Sequence, residues 1–378
     1  MKTAHIVYGI NFGDEGKGLL TDFLSRKYHN SIVIRHNGGA QAGHTVVVDS
    51  KKTKLRHVCS HIGSGSLNGT STYLGKEFIC NPILFTQELL RLKEEGFDLN
   101  NLPPIFVHPC CKITTPWDMI ANQEEEKSLG DKKYGSCGVG IWHTINRSQI
   151  IDISVDELFV MSENKIREIC FEISDYYGFT DQEDVIDLFL EDIKTFKSEI
   201  LVRDYSILHH VDHLIFEGAQ GLMLDKDMGT IPHVTPSNTG FVNPLNILED
   251  AKIESEINTY GITRAYSTRH GAGPLPGEYR STKYFDDTNL PHPYQDSIRF
   301  APLDISKMKE VIMLNNALIG DNAKPHILIT HLDQVKRIRT LEHGSFSKSE
   351  CARIANILSM GSRLMTSDGP TSSHVKIY

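Results

Sequence analysis

The sequence predicts an α/β protein with a large, mostly parallel central sheet covered by helices. Short apolar runs recur along the chain: HIVYGI (5–10), SIVIRH (31–36), PIFVHP (104–109), HLIFEG (213–218), INTYGITRAY (257–266) and HILITHL (326–332). Between them lie segments with helical apolar spacing, namely PILFTQELLRLKEEGF (82–97), NPLNILEDAKI (243–253) and LDISKMKEVIMLNNAL (303–318). Alternation of this kind marks a sheet whose strands are joined by covering helices. Glycine-rich stretches directly follow four of the strand-like runs. In an open parallel sheet such loops share one edge, where ligands bind.

Taken in order, HIVYGI is a first strand, GDEGKG a turn, and the periodic segment from about Leu19 a first helix. This strand–loop–helix is P-loop-like, yet it departs from GxxxxGK[ST]: position 11 is Asn and Gly18 stands where a hydroxyl would hold magnesium. Residues 151 to 205 break the alternation. They are acidic and helix-rich, and Ile166, Ile169 and Ile173 share a helical face, so they read as a helical insertion on the sheet. No repeat or linker divides the chain, so residues 1–378 read as one domain carrying that insertion.

A net charge of −9 argues against a nucleic-acid protein, since phosphate backbones reward clustered Lys and Arg, and leaves room for a local basic pocket for a small anion. No stretch reaches the ~18 apolar residues of a membrane span. The start, MKTAHIVYGI, reads as a strand rather than a secretory signal. With seven cysteines, an odd and sparse set, the expected location is a reducing cytoplasm. Cys110 and Cys111, in an apolar segment, are expected to be buried thiols. HVCSH (57–61) and HHVDH (209–213) lack the paired spacing of a zinc site and read as strand or loop histidines.

The loops carry the chemistry. Gly13, Gly16 and Gly18 let backbone N–H groups turn inward, the helix adds its positive end, and Lys17 supplies a point charge. Asp14 and Glu15 are out of place in a simple anion cradle; Glu15 is expected to face solvent. In NGGAQAGHT, His44 follows Gly38, Gly39 and Gly43, and an imidazole suits proton transfer to a developing oxygen charge.

Six segments together resemble the adenylosuccinate synthetase family: FGDEGKG (12–18), NGGAQAGHTVV (37–47), FEGAQGLMLDKDMGTIPHVTPSNTG (216–240), TRHGAGPLPGE (268–278), ITHLD (329–333) and SDGP (367–370). The resemblance implies a ligase that condenses L-aspartate with a 6-oxopurine nucleotide, usually IMP, using GTP and Mg2+. Asp14 would take the purine N1 proton, and Asp14 with the Gly43 carbonyl would hold the metal. His44 would act at the transferring phosphoryl group, with Lys17 and the N–H groups of Gly16 to Gly18 stabilising charge. Gln220 would lie near O6 and Thr235 near the nucleotide phosphate, with Gln41, Ala42, Ser136 and Cys137 completing that pocket. Gly13, Glu15, Thr45, His331, Leu332 and Asp333 would serve GTP, and Ser367, Asp368 and Gly369 would close over its base. A homodimer is implied as well.

Departures from the family pattern fall elsewhere. GSCGVGIWH (135–143) keeps a hydroxyl at Ser136 but has Cys137 and Val139 where the family has Thr and Arg, with Arg147 a possible replacement cation. The aspartate-binding loop, arginine-rich in the family, reads HPYQDSIRFAPLD (292–304), so Arg299 is the aspartate candidate unless Arg264, Arg269 or Arg280 moves in. The GTP-base motif carries His331 in place of Lys. These changes resemble a divergent, partly viral branch that includes dGMP-using 2-aminoadenylosuccinate synthases, some driven by an adenine nucleotide. IMP with GTP is the expected pair and dGMP the alternative; a nucleotide-binding regulator without ligase activity is the reading from another class.

Overall fold

In a computed structural model, residues 2–49, 54–180, 183–280, 284–286, 288–289, 291, 293–335 and 363–378 are described, together with 351, 353, 354, 356 and 358. The chain runs β1 (Lys2–Gly9), α1 (Lys17–Lys27), β2 (Ser31–Arg35), β3 (His44–Asp49), β4 (Lys54–Cys59), β5 (Ser71–Leu74), α2 (Pro82–Glu94) and β6 (Ile105–Val107). It continues through α3 (Pro116–Leu129), α4 (Ile141–Arg147), α5 (Val155–Val160), α6 (Glu163–Tyr176), α7 (Glu183–Glu199), β7 (Ile200–Val202) and β8 (His213–Gly221). Then follow α8 (Val242–Asp250), β9 (Ser255–Arg264), β10 (Ser267–Arg269), β11 (Arg299–Ala301), α9 (Ile305–Asn316), β12 (Ala323–Thr330), β13 (Arg363–Ser367) and β14 (Val375–Ile377).

Ten strands form one sheet in the order β14-β13-β12-β9-β1-β8-β2-β5-β6-β7. Each neighbouring pair is parallel except β13–β14 at one edge. β1 is central because both its faces are covered. Ala4, Ile6 and Tyr8 pack toward α8 and α9, and Val7 packs toward Leu20 and Leu24 of α1. A strand buried on both faces reads as a continuous apolar run, as HIVYGI does.

The insertion does more than lie on the sheet. Ile166, Ile169, Cys170 and Ile173 of α6 and Ile186, Phe189, Leu190, Ile193 and Phe196 of α7 share a second core with α2. Its chain then enters the sheet as the edge strand β7, pairing with β6. Cys111 is buried as expected, but Cys110 is exposed. Cys111 is held inside with its Sγ donating to the Gly75 carbonyl at 3.1 Å, while Cys110 sits within the turn that the Cys111 N–H closes on the His108 carbonyl, so apolar flanks do not bury both. His57 and His61 both lie against Glu88, which also accepts from the backbone N–H groups of Ser60, His61 and Ile62. Among the described residues no helix is long and apolar enough to cross a membrane, and no three His, Cys, Asp or Glu side chains gather as a metal site.

Candidate active site

The carboxyl ends of β1, β2, β8, β9 and β12 open onto one cavity of about 1210 Å³. All four glycine-rich loops reach it, because parallel strands send their following loops to the same edge.

The first loop is shaped around Glu15. Its carboxylate is 1 % exposed and accepts from the N–H groups of Asn11 and Gly13, each at 3.0 Å, and from Lys17 Nζ at 3.0 Å. Glu15 therefore does not face solvent; it ties the loop to its own lysine. Charge-assisted bonds to a buried carboxylate hold a backbone that strained dihedrals alone would not. Asp14 has φ 61°, a conformation uncommon for a residue with a side chain. Its carbonyl accepts from Arg264 Nε at 2.5 Å, and the Glu15 carbonyl accepts from Thr330 Oγ1 at 2.7 Å. Clamped from β9 and β12, the loop turns at Gly16 into α1, which begins at Lys17, slightly earlier than expected. Gly18 is closely packed: a Cβ there would sit 3.0 Å from His44 Cβ and 3.1 Å from Ser64 Oγ, so a side chain would have to displace one of them by a few tenths of an ångström.

His44 opens β3 with its Nδ1 2.7 Å from Glu217 Oε1. Glu217, fully buried on β8, also accepts from the Ser64 N–H at 3.1 Å and from the Ser64 hydroxyl, with Arg35 Nη1 3.9 Å away. Burial works to raise the Glu217 carboxyl, but His44, Arg35 and Ser64 outweigh it and bring it down to about 2. Burial pushes the His44 imidazole down, against the pull of Glu217. The ionised carboxylate fixes the Nδ1–H tautomer and leaves Nε2 as the nitrogen free for a ligand.

Gln220, at φ 63°, lines the cavity with a buried Oε1 that has no hydrogen-bond partner. Its position is set by Asn37, whose side chain both accepts from the Ala219 N–H at 2.7 Å and donates to the Ala219 carbonyl at 3.3 Å. Gln41, Ala42, Gly43, Thr45, Ser136, Cys137 and Thr235 also line the cavity. Burial pushes the Cys137 thiol up to about 11, which keeps it neutral. The lining also includes His331, at φ 59° with its imidazole pushed well down by burial, together with Asp333, Gly369 and Pro370.

Several expected residues are engaged elsewhere. Arg299 is not part of the cavity lining; it reaches Glu278 at 2.8 Å and donates to the carbonyls of Gly271 and Gly273. Arg147 is fully buried against Asp118 at 2.8 Å and donates to the Ile113 and Ile151 carbonyls, so it braces the α3–α4 region. Leu332 packs into the core, Ser367 Oγ donates to the Gly369 carbonyl, and Asp368 pairs with Lys376. The cavity cations beside the first loop are instead Arg264 and Arg269. Arg264 is 2 % exposed and paired with Asp286 at 2.5 Å, with Nη1 unpartnered. Arg269 lies over the Phe12 ring, its Nε is unpartnered, and burial lowers it to about 10. Glu217, Asn37, Asp286 and His270 carried no sequence signal of their own beyond membership of the glycine-rich segments or their neighbours.

The Asp14 carboxylate is a quarter exposed and faces the cavity. One carboxylate with open space around it fits magnesium, which keeps several waters and binds largely through substrate phosphates.

A doubly covered parallel sheet, a P-loop-like first turn and a carboxylate, lysine, imidazole and amide converging at the sheet's carboxyl edge define a phosphate-handling nucleotide enzyme. A model described as adenylosuccinate synthetase matches residues 6–298, and the chain belongs to that family of GTP-dependent C–N ligases. It is 32% identical over 365 residues to the adenylosuccinate synthetase of Borrelia duttonii, covering 89% of this chain and 78% of the relative. It is 35% identical over 293 residues to that of Lactobacillus acidophilus, covering 73% of this chain and 65% of the relative. The fold matches the fully ligated adenylosuccinate synthetase of Plasmodium falciparum with TM-score 0.75 and 20% identity, over 99% of both chains. It also matches cyanophage S-2L succinoaminodeoxyadenylate synthetase, bound to dGMP and dATP, with TM-score 0.64 and 14% identity, over 100% and 95% of the two chains.

Proposed function

We propose that this chain condenses L-aspartate with IMP, driven by GTP, to give adenylosuccinate, GDP and phosphate. The observation that carries this is the convergence of Asp14, Lys17, His44 and Gln220 on one cavity, with the Asp14 carbonyl held by Arg264, the Lys17 ammonium by Glu15, the His44 ring by Glu217 and the backbone before Gln220 by Asn37. In this reading Asp14 takes the N1 proton of the 6-oxopurine, which makes O6 a nucleophile toward the γ-phosphorus. Lys17 and the loop N–H groups stabilise the spreading charge, and His44, oriented by Glu217, supports the phosphoryl oxygens. The aspartate amine then attacks C6 and the O6 phosphate departs. Asp14 and the Gly43 carbonyl would hold Mg2+, which neutralises phosphate charge when bound. Arg264 and Arg269 carry the unpartnered guanidinium nitrogens of the cavity, so they take the substrate carboxylates in place of Arg299. A cytoplasmic homodimer accompanies this reading.

A dGMP-using variant is the second reading, favoured by the arginine-poor loop and by Cys137 and Val139 in the phosphate segment. A substrate matrix decides between them: IMP, dIMP, GMP and dGMP crossed with GTP and ATP, reading aspartate-dependent phosphate release. IMP with GTP is expected to turn over fastest. Phosphate release from no pair, or release independent of aspartate, overturns the ligase assignment. Light scattering on the eluting protein tests the dimer.

A further inference from the structure

His270 stands in the cavity beside Asp14, its Nε2 3.8 Å from Asp14 Oδ2. Its Nδ1 is buried and has no hydrogen-bond partner. The imidazole is held from both sides. Arg269 before it belongs to β10, paired with β11 through Arg299. Gly271 after it, at φ +70°, packs so tightly that a Cβ would sit 2.7 Å from the Gly135 carbonyl oxygen. The Gly271 carbonyl also accepts from Arg299, which explains what that arginine does: it pins the loop that presents His270. A buried ring nitrogen is seldom left without a partner. One left open inside a ligand cavity, on a loop this well braced, is a contact completed by the ligand.

We propose that His270 is a specificity-determining residue whose Nδ1 accepts a hydrogen bond from a donor on the purine nucleotide. The carboxylate beside Nε2 favours the proton on that nitrogen, which leaves Nδ1 as the acceptor. The assignment rests on the ligase reading for the class of ligand, a 6-oxopurine nucleotide. Two donors differ among such nucleotides and can therefore be discriminated, a 2-amino group and a ribose 2′-hydroxyl; the N1–H, which faces Asp14 in the ligase reading, and the 3′-hydroxyl are common to all of them.

The test is equilibrium binding of IMP, dIMP, GMP and dGMP to the wild-type protein and to His270→Leu and His270→Asn. The asparagine keeps an acceptor near the place of Nδ1, whereas leucine keeps bulk alone. Loss of the acceptor strands a buried donor, so His270→Leu is expected to weaken the donor-bearing nucleotides by about 5- to 100-fold. dIMP, which has neither the 2-amino group nor the 2′-hydroxyl, is expected to bind the variant and the wild type alike, and His270→Asn restores most of the affinity. Selective loss of GMP and dGMP identifies the 2-amino group; selective loss of IMP and GMP identifies the 2′-hydroxyl. Equal weakening of all four nucleotides, no rescue by asparagine, or no binding of any of them to the wild type overturns the proposal. The ligase reading fails separately, if the wild type binds nucleotide yet releases no phosphate in the presence of aspartate and GTP.

Discussion

The buried pair of Glu15 and Lys17 gives the sharpest stability prediction. Glu15 is 1 % exposed and Lys17 3 %, with 3.0 Å between Oε2 and Nζ, so water screens neither charge. Glu15→Gln keeps the shape, and its amide oxygen can still accept from the Asn11 and Gly13 N–H groups. Its NH2 group, however, would face the Lys17 ammonium, donor against donor. Removing one member of a buried ion pair costs about 3–5 kcal/mol, because the other charge is left without a counter-charge. Lys17→Met is expected to cost a similar amount for the converse reason. The double variant removes both charges, so its loss should fall short of the sum by roughly 2–3 kcal/mol. Urea unfolding of all four proteins, followed by fluorescence and circular dichroism, measures the cycle where the two probes coincide. Single losses that add to within ~0.5 kcal/mol would show that the pair does not hold the loop.

Other outcomes follow from the same geometry. Asp14→Ala should lower phosphate release by ~10² or more while nucleotide binding stays measurable; turnover above about a tenth would remove Asp14 from the role of base. Glu217 sits at about 2 in the fold against an ordinary 4.5, so its contribution is full above pH 4.5 and is lost as pH falls toward 2. Glu217→Gln should therefore flatten the acid limb of stability against pH, and an unchanged slope would refute the assignment. Arg147→Met should cost about 3–5 kcal/mol of stability by stranding Asp118. It should leave the KM for the purine nucleotide where it was; a rise of about tenfold would place Arg147 at the substrate instead.

The sequence by itself determined the sheet, its parallel sense and the edge where the loops gather. A central strand buried on both faces must be apolar throughout, as β1 is, and a parallel strand must hand its loop to a common edge. Asp14, Lys17, His44 and Gln220 were legible as cavity residues for the same reason, since each lies in a glycine-rich segment at or just beyond the carboxyl end of a strand. Tertiary structure decided which charges are free. Glu15 and Lys17 are two residues apart, and nothing in that spacing says that the carboxylate turns inward to cap Asn11 and Gly13. Arg147 meets Asp118 across 29 positions, and Arg264 meets Asp14 across 250. Whether an arginine grips a substrate or a neighbouring carbonyl depends on which partners the fold brings within about 3 Å, and hydrogen bonds weaken too steeply with distance for sequence order to reveal it. For that reason Arg299 became a brace, Arg264 and Arg269 became the arginines of the cavity, and His270 emerged beside the carboxylate that the sequence had already singled out.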